Sequence, residues 1–425
     1  MPDATTGRGT GERYRRFLAR LRRVRSQGVA LGLERVRLAL QRLGAPERRL
    51  PAVHIAGTNG KGSVAAMVEA ILRRSGARTG LFTSPHLVRF TERIRIDGVE
   101  VDGDHLATLD EAVAGTLVPL TYFEVATVLA LLAFAEAGVE VAILETGLGG
   151  RLDATSVCRP LACAITSIAL DHEAILGDTL AQIAFEKAGI AKPGVPLFLG
   201  PLPAEAAARI VEVASTVGAP LCCAGVDYPP AIGAPALAGA HQLVNAALAV
   251  ALSRAAARTC GRTLGEAQVL AGLAGVCWPG RLEQIAPDVL LDCAHNVEGA
   301  RALAAALPEA PRRLLVTSVV RDKNAAAMLD ALAPHFDLVI ATRSPSERAM
   351  EAERLAGLVP RTRAGDRQVA SREDPFAALV EARHEAARVA GGQVVVAGSI
   401  FLVGALRAFV LGEPLEAAEA SDPAP

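Results

Sequence analysis

Residues 54–63 read His-Ile-Ala-Gly-Thr-Asn-Gly-Lys-Gly-Ser, a run whose types suit a bound phosphate. Glycines let backbone N–H groups turn toward phosphate oxygens with no Cβ in the way. If a strand precedes the run and a helix follows, the helix N-terminus adds a favourable dipole. Lys61 can then reach terminal phosphates, and Ser63 can face Mg²⁺. The strict G-x-x-x-x-G-K-[ST] pattern is not met. Ile55 stands where the first glycine belongs, and Gly62 separates Lys61 from Ser63.

Lysine is scarce elsewhere. Of 44 basic residues only Lys61, Lys187, Lys192 and Lys323 are lysines, and asparagine occurs only at Asn59, Asn245, Asn296 and Asn324. A chain biased toward Arg and Ala keeps Lys where Arg cannot serve, because an amine has a shiftable pKa and a guanidinium does not. Chance survival on the surface is the competing explanation for any one of them. Glu145 ends an apolar run and precedes a Gly-rich loop, where ligand residues sit in open α/β sheets. Taken alone, Ser84 before Pro85 reads as a turn residue, His172 beside Asp171 as a structural histidine, and Asn296 as a helix N-cap.

The elements that must carry these groups alternate. Strands are expected at Val53–Ala56, Thr79–Thr83, Val139–Glu145, Ala162–Ile168 and Val195–Leu199. Helices are expected at Tyr14–Val24, Gly62–Ser75, Thr179–Ala191, Ala204–Val217, Gln242–Ala257 and Leu264–Gly272. Alternation restarts after Trp278-Pro279-Gly280. Strands fall at Val289–Asp292, Leu314–Ser318, 337–342 and 393–397, and helices at Val297–Leu307, 325–333 and 374–388. Such alternation implies mostly parallel sheets flanked by helices, in two domains, 1–278 and 279–425. Residues 1–10 read as disordered and 414–425 as a frayed tail.

The 425 residues are 51% hydrophobic, with a formal net charge of -1. That balance argues against a generally basic nucleic-acid binder. No apolar run reaches the roughly 18 residues of a membrane span, and no signal-peptide core is present. Seven scattered cysteines suggest a reducing cytoplasm. Residues 1–50 carry 13 arginines against four acidic residues. An RNA- or membrane-binding arm is conceivable there, but the helical spacing of Phe17, Leu18 and Leu21 favours a solvated amphipathic helix.

A series of motifs, in order, resembles the folylpolyglutamate synthase/dihydrofolate synthase family, cousins of the Mur ligases. They are Gly57-Thr-Asn-Gly-Lys-Gly-Ser63, Thr83-Ser-Pro-His-Leu87, Glu92-Arg-Ile94, Thr121-Tyr-Phe-Glu124 and Glu145-Thr-Gly-Leu-Gly-Gly-Arg-Leu-Asp-Ala-Thr155. Leu170-Asp-His172, Leu176-Gly177, Glu186-Lys-Ala-Gly-Ile190 and His241-Gln242 with Asn245 follow. Pro279-Gly-Arg-Leu-Glu283, Asp292-Cys-Ala-His-Asn296, Asp322-Lys323 and Gly398-Ser399 complete the series, over about residues 31–404.

The resemblance implies a P-loop ATPase-like domain of Mur central-domain type and a smaller C-terminal Rossmann-like domain. It implies an ATP-dependent ligase that joins L-glutamate to dihydropteroate and to folates through an acyl phosphate. The alternative is folylpolyglutamate synthesis alone. ATP is expected against Asn59, Gly60, Lys61, Gly62, Ser63, Asn245, Arg281, Asp292 and His295. Two Mg²⁺ ions are expected at Ser84, Glu145, His172 and Lys187, with Lys187 carbamylated. Lys61, Lys187 and His172 are the implied catalytic groups. Leu33, Thr121, Tyr122, Phe123, Glu124, Leu152, Asp153 and Ala154 would line the folate pocket. A monomer with no nucleic-acid or membrane partner is implied. Ser156 departs from the family, which usually has Asn there. A Mur-type cell-wall ligase would need an extra N-terminal domain, for which the 50 residues before the phosphate loop leave no room.

Overall fold

The computed structural model describes residues 11–25, 28, 30–230, 232–360 and 368–416. The disorder expected at 1–10 lies outside these residues, as does the tail beyond 416.

The chain folds into two α/β domains. The first sheet has eight strands: β1 (Pro51–Ala56), β2 (Thr79–Phe82), β3 (Ile94–Ile96), β4 (Val99–Glu100), β5 (Val141–Glu145), β6 (Arg159–Ile165), β7 (Leu197–Leu199) and β8 (Leu221–Cys223). Their order is β4-β3-β2-β5-β1-β6-β7-β8, parallel from β2 to β8. β3 and β4 add an antiparallel edge. β1 and β5 are apolar and almost wholly buried because helices cover both faces. Val53 and Ile55 pack with helices Lys61–Arg74, Ala240–Thr259 and Glu266–Ala274, while Ala52 and Ala56 face the opposite layer.

That opposite layer is built around the helix Tyr122–Glu136, whose residues from Val125 to Phe134 are all buried. A helix apolar on every side must be covered on every side. Here the covers are the sheet and the helices Glu12–Arg25, Glu34–Arg42 and Gly103–Gly115. The Arg-rich N-terminal helix buries Tyr14, Phe17, Leu18 and Leu21. Arg13 and Arg20 pair with Glu111 and Asp110 of the helix Gly103–Gly115. These arginines are thus committed within the domain.

The second sheet has six strands: β9 (Glu283–Ala286), β10 (Val289–Leu291), β11 (Arg313–Thr317), β12 (Leu338–Thr342), β13 (Gln368–Arg372) and β14 (Gln393–Ala397). Their order is β13-β12-β11-β14-β10-β9, parallel except for β9. Helices Val297–Ala306, Ala325–Leu332 and Ala352–Gly357 pack on one face, and Pro375–Ala386 and Ile400–Leu411 on the other.

Two expectations need correction. β6 ends at Ile165 instead of Ile168, because Thr166 and Ser167 turn their hydroxyls onto the Asn59 carbonyl. Residues 414–416, expected to fray, are anchored. Glu416 accepts from the Tyr14 hydroxyl (2.8 Å) and the Phe90 N–H (2.8 Å), and its own N–H donates to Val88 O (3.1 Å). Glu413 pairs with Arg89 at 2.6 Å. The segment after the last helix of the second domain therefore returns to the first.

Candidate active site

In an open parallel sheet, ligands bind outside the carboxyl ends of the strands. Both sheets turn those ends toward one cleft. Loops after β1, β2, β5 and β6 meet loops after β10, β11, β12 and β14 around a cavity of about 250 Å³.

The phosphate loop is pinned from behind. Thr58 N donates to Ser167 O (2.9 Å), and Asn59 N to Ser167 Oγ (2.9 Å). Gly57 has φ 148, and a Cβ there would collide with the Thr166 hydroxyl. Gly60 caps the helix Lys61–Arg74 at φ 86, and a Cβ there would lie 2.8 Å from Asn245 Oδ1. Only glycine meets both conditions at low cost. Gly60, Lys61 and Gly62 line the cavity. Lys61 Nζ donates to Thr58 O (3.2 Å) and lies 4.0 Å from Glu145 Oε1. Ser63 is buried and accepts from Gln242 Nε2 at 3.4 Å.

Glu145 is buried at the end of β5, where Ser84 N donates to its Oε2 at 3.2 Å. Burial pushes its carboxyl above the ordinary range against the pull of Lys61 and that N–H. Lys187 lies near the C-terminal end of the helix Leu180–Ala188, wholly buried, with Nζ donating to Gly57 O at 2.9 Å. Burial, and then Lys61, lower its amine to about 7. His172 holds a left-handed backbone at φ 53, an outlier for a non-glycine residue. Its Nδ1 is buried without a partner, and burial followed by Lys323 holds its pKa at about 3. The ring is therefore neutral, with a lone pair free to ligate.

A buried carboxylate, an orphaned imidazole nitrogen and a neighbouring hydroxyl together suit a hard cation. Among the described residues no trio of His, Cys, Asp or Glu forms a metal cage. Mg²⁺ is held by one or two carboxylates, keeps several waters and borrows phosphate oxygens.

Leu31, Gly32, Thr121, Phe123, Glu124, Leu152, Asp153 and Ala154 line the opposite arm of the cavity. Glu124 takes a forked contact from Arg35 (2.8–3.1 Å) and the Thr121 N–H (2.7 Å). Asp153 accepts from Gly147 N and Leu148 N (both 2.9 Å) and from Thr155 N (3.0 Å) and Oγ1 (2.5 Å). It holds the loop after Glu145 in shape. Behind it, His54 Nε2 lies 2.8 Å from Thr155 Oγ1.

Several residues expected to touch ligand do not themselves line the cavity. Tyr122 is fully buried between Phe90 and Arg93, away from the cavity, because adjacent helix residues point about 100° apart and Phe123 takes the inward direction. Leu33 is buried at the start of the helix Glu34–Arg42. Asp292 spends both oxygens on Leu282 N (3.0 Å) and Ala294 N (2.8 Å). Asn245 donates to Gln242 Oε1 (3.0 Å) and backs Gly60. Arg281 and His295 line the cavity.

Some residues at the site were not among the expected ligand contacts. Asp171 pairs with Lys323 across the cleft, and Arg348 lines the cavity beside Lys323. Asp171, Lys323 and Asn296 lay within matched motifs. Arg35 lies in Leu31-Gly-Leu-Glu-Arg-Val36, which resembles the family's pterin-site segment, whereas Arg348 carried no signal. Asn324 is accounted for as a helix N-cap, accepting from Ala327 N at 3.1 Å.

Two family models match the chain: the Mur ligase middle domain over residues 55–195 and the Mur ligase, glutamate ligase domain over 280–400. The dihydrofolate synthase/folylpolyglutamate synthase of Mycobacterium tuberculosis is 37% identical over 442 aligned residues, covering 90% of each chain. The chain belongs to the folylpolyglutamate synthase/dihydrofolate synthase family. Members are ATP-dependent ligases. A probable bifunctional folylpolyglutamate synthase/dihydropteroate synthase of Haloferax volcanii is also 37% identical, over 380 residues; the match covers 81% of this chain but only 44% of that longer protein. The Escherichia coli FolC structure in complex with DHPP and ADP superposes with a TM-score of 0.84 at 32% identity, covering 97% of this chain and 99% of that one. The Yersinia pestis bifunctional enzyme complexed with AMPPNP and Mn superposes at 0.82 and 31%, covering 97% and 100%. No helix among the described residues is long and apolar enough to cross a membrane.

Proposed function

We propose that this chain joins L-glutamate to dihydropteroate and to tetrahydrofolates, using ATP. The observation that carries it is the placement of Glu145, Lys61 and Lys187 between a phosphate loop and a cavity arm lined by Phe123, Leu152 and Ala154. The ADP, DHPP and AMPPNP bound in related structures support the same assignment.

A carboxylate resists a nucleophile because it is anionic. Transfer of the γ-phosphoryl of ATP to a carboxylate oxygen yields an acyl phosphate and ADP. The glutamate amine then attacks the acyl carbon, the C–O bond to phosphate breaks, and inorganic phosphate and the amine proton leave. The protein positions the reactants and neutralises charge. Lys61 neutralises the terminal phosphates. Ser84 and Glu145 would hold one Mg²⁺, and His172 with Glu145 and a carbamylated Lys187 a second. Bound Mg²⁺ supplies charge stabilisation for the transferring phosphoryl group. The lowered Lys187 amine supports the carbamate, since only the free amine adds carbon dioxide. Phe123, Leu152 and Ala154 offer a flat apolar slot for the pterin. Arg281, Lys323 and Arg348 present cations suited to the carboxylates of the incoming amino acid.

Phosphate release should be measured with ATP, Mg²⁺ and glutamate, adding either dihydropteroate or tetrahydrofolate. Release with both is the expected result. Release with tetrahydrofolate alone would restrict the activity to polyglutamylation, and release with neither would overturn the assignment.

A further inference from the structure

One seam of polar side chains crosses the cleft, and Asn296 is its centre. Asn296 Nδ2 donates to Asn59 Oδ1 (2.9 Å) and to Asp171 Oδ2 (3.1 Å). Its Oδ1 accepts from Asn59 Nδ2 (3.1 Å) and from Gly299 N (2.8 Å). A primary amide has two donors and two acceptor sites, so Asn296 is saturated. Its orientation is fixed by its partners, because a backbone N–H needs the oxygen and a carboxylate needs the N–H₂. That choice in turn fixes Asn59.

The three partners lie in different places. Asn59 is in the phosphate loop, its backbone clamped by Thr166 and Ser167. Asp171 follows β6 and pairs with Lys323 of the second domain, with His295 Nε2 3.9 Å from its other oxygen. Gly299 is in the first turn of the helix Val297–Ala306, which Asn296 caps. Phosphate-loop order is thus passed by one buried amide to the elements bearing His295 and facing Lys323.

Two of the connections across the seam respond differently to ligand. Asp171–Lys323 is an ion pair, and an incoming carboxylate or phosphate competes for Lys323. The Asn59–Asn296 pair is neutral and doubly hydrogen-bonded, so a carboxylate drawn to Lys323 finds no comparable charge attraction there. It can keep the second domain seated while Lys323 turns to ligand.

We propose that Asn296 is a positioning residue that couples nucleotide binding at the phosphate loop to binding of the acceptor amino acid against the second domain. This rests on the ligase assignment above. Coupling of this kind is reciprocal and is expected to amount to about fivefold or more.

The test uses the full chain, and phosphate release by the wild type is established first. Its absence would sink the ligase assignment independently of any variant. Asn296→Asp keeps the oxygen that caps the helix but removes both donors and sets a carboxylate against Asp171. The expected result is a glutamate KM raised about tenfold with an ATP KM changed less than about threefold. AMPPNP with Mg²⁺ should tighten glutamate binding by calorimetry in the wild type and have no such effect in Asn296→Asp. Asn59→Ala leaves the cap and the Asp171 contact in place and tests the pair from the other side, even if Asn296→Asp does not fold. The double variant should lose no more coupling than Asn296→Asp alone. Unchanged glutamate KM and coupling in both single variants, or losses that multiply in the double variant, would overturn the proposal.

Discussion

The Lys187 amine lies 2.9 Å from the Gly57 carbonyl oxygen, buried directly beneath the phosphate loop. Its pKa falls from 10.5 to about 7 through burial and then Lys61. Between those values the unfolded chain binds a proton that the folded one does not. This residue's contribution to stability therefore rises with pH across that window, and the full penalty is present below about 7. Carbon dioxide adds only to the free amine. With carbon-13 bicarbonate, a carbamate resonance should grow as pH rises through about 7 and be missing in Lys187→Ala. Its absence from the wild type at every pH would remove the carbamate from the mechanism.

Lys61 is a compact cation poised between Thr58 O and Glu145. Arginine keeps the charge but not the shape. Lys61→Arg should lower kcat about 10²–10³-fold, with Tm little changed, by analogy with the loss of one charge-stabilising donor. Steady-state phosphate release checks this, and near-normal kcat would remove Lys61 from phosphate contact.

Phe123 and Tyr122 are neighbours in sequence with opposite surroundings. Phe123 lines the cavity and packs against Phe82, while Tyr122 is wholly buried. Phe123→Ala should raise the KM of the pterin substrate roughly tenfold, a loss of about 1.4 kcal/mol. Tyr122→Ala should cost about 3–5 kcal/mol in denaturant unfolding, as large core truncations do. Tyr122→Phe should leave the pterin KM unmoved.

His54 is buried on β1, and burial lowers its pKa from 6.5 to about 3. In acid the unfolded chain protonates this ring first. Stability should therefore fall as pH drops from 6.5 toward about 3. His54→Gln should flatten that slope, whatever its effect at neutral pH. An unchanged slope of unfolding free energy against pH would show that other groups govern acid loss.

The alternation of apolar strands and amphipathic helices made both parallel sheets legible, and with them the loops that must hold Lys61 and Glu145. Motif order named the family. What could not be read was side-chain direction. Nothing local distinguishes Tyr122 from Phe123, because helix phase at a first turn is set by what packs behind it. Asp171 is an acidic residue beside a histidine until Lys323 arrives from the other domain, 152 residues later. Asp292 and Asp153 sit in motifs rich in ligand-binding types, yet each oxygen is taken by backbone or by Thr155. β6 ends three residues short of Ile168 because the Thr166 and Ser167 hydroxyls are recruited by the Asn59 carbonyl.

The contacts of Glu416 give the two domains a second, non-covalent attachment, beside the covalent crossing at Cys277–Pro279. These contacts, with Tyr14, Val88 and Phe90, fasten the second domain to the first at a separate place. Two fixed points on a rigid body leave one rotational degree of freedom, about the line joining them. An opening of the cleft that keeps both fastenings is thereby biased toward a swing about that axis, as a door moves on two pins, and a large twist or slide requires the Glu416 fastening to come undone.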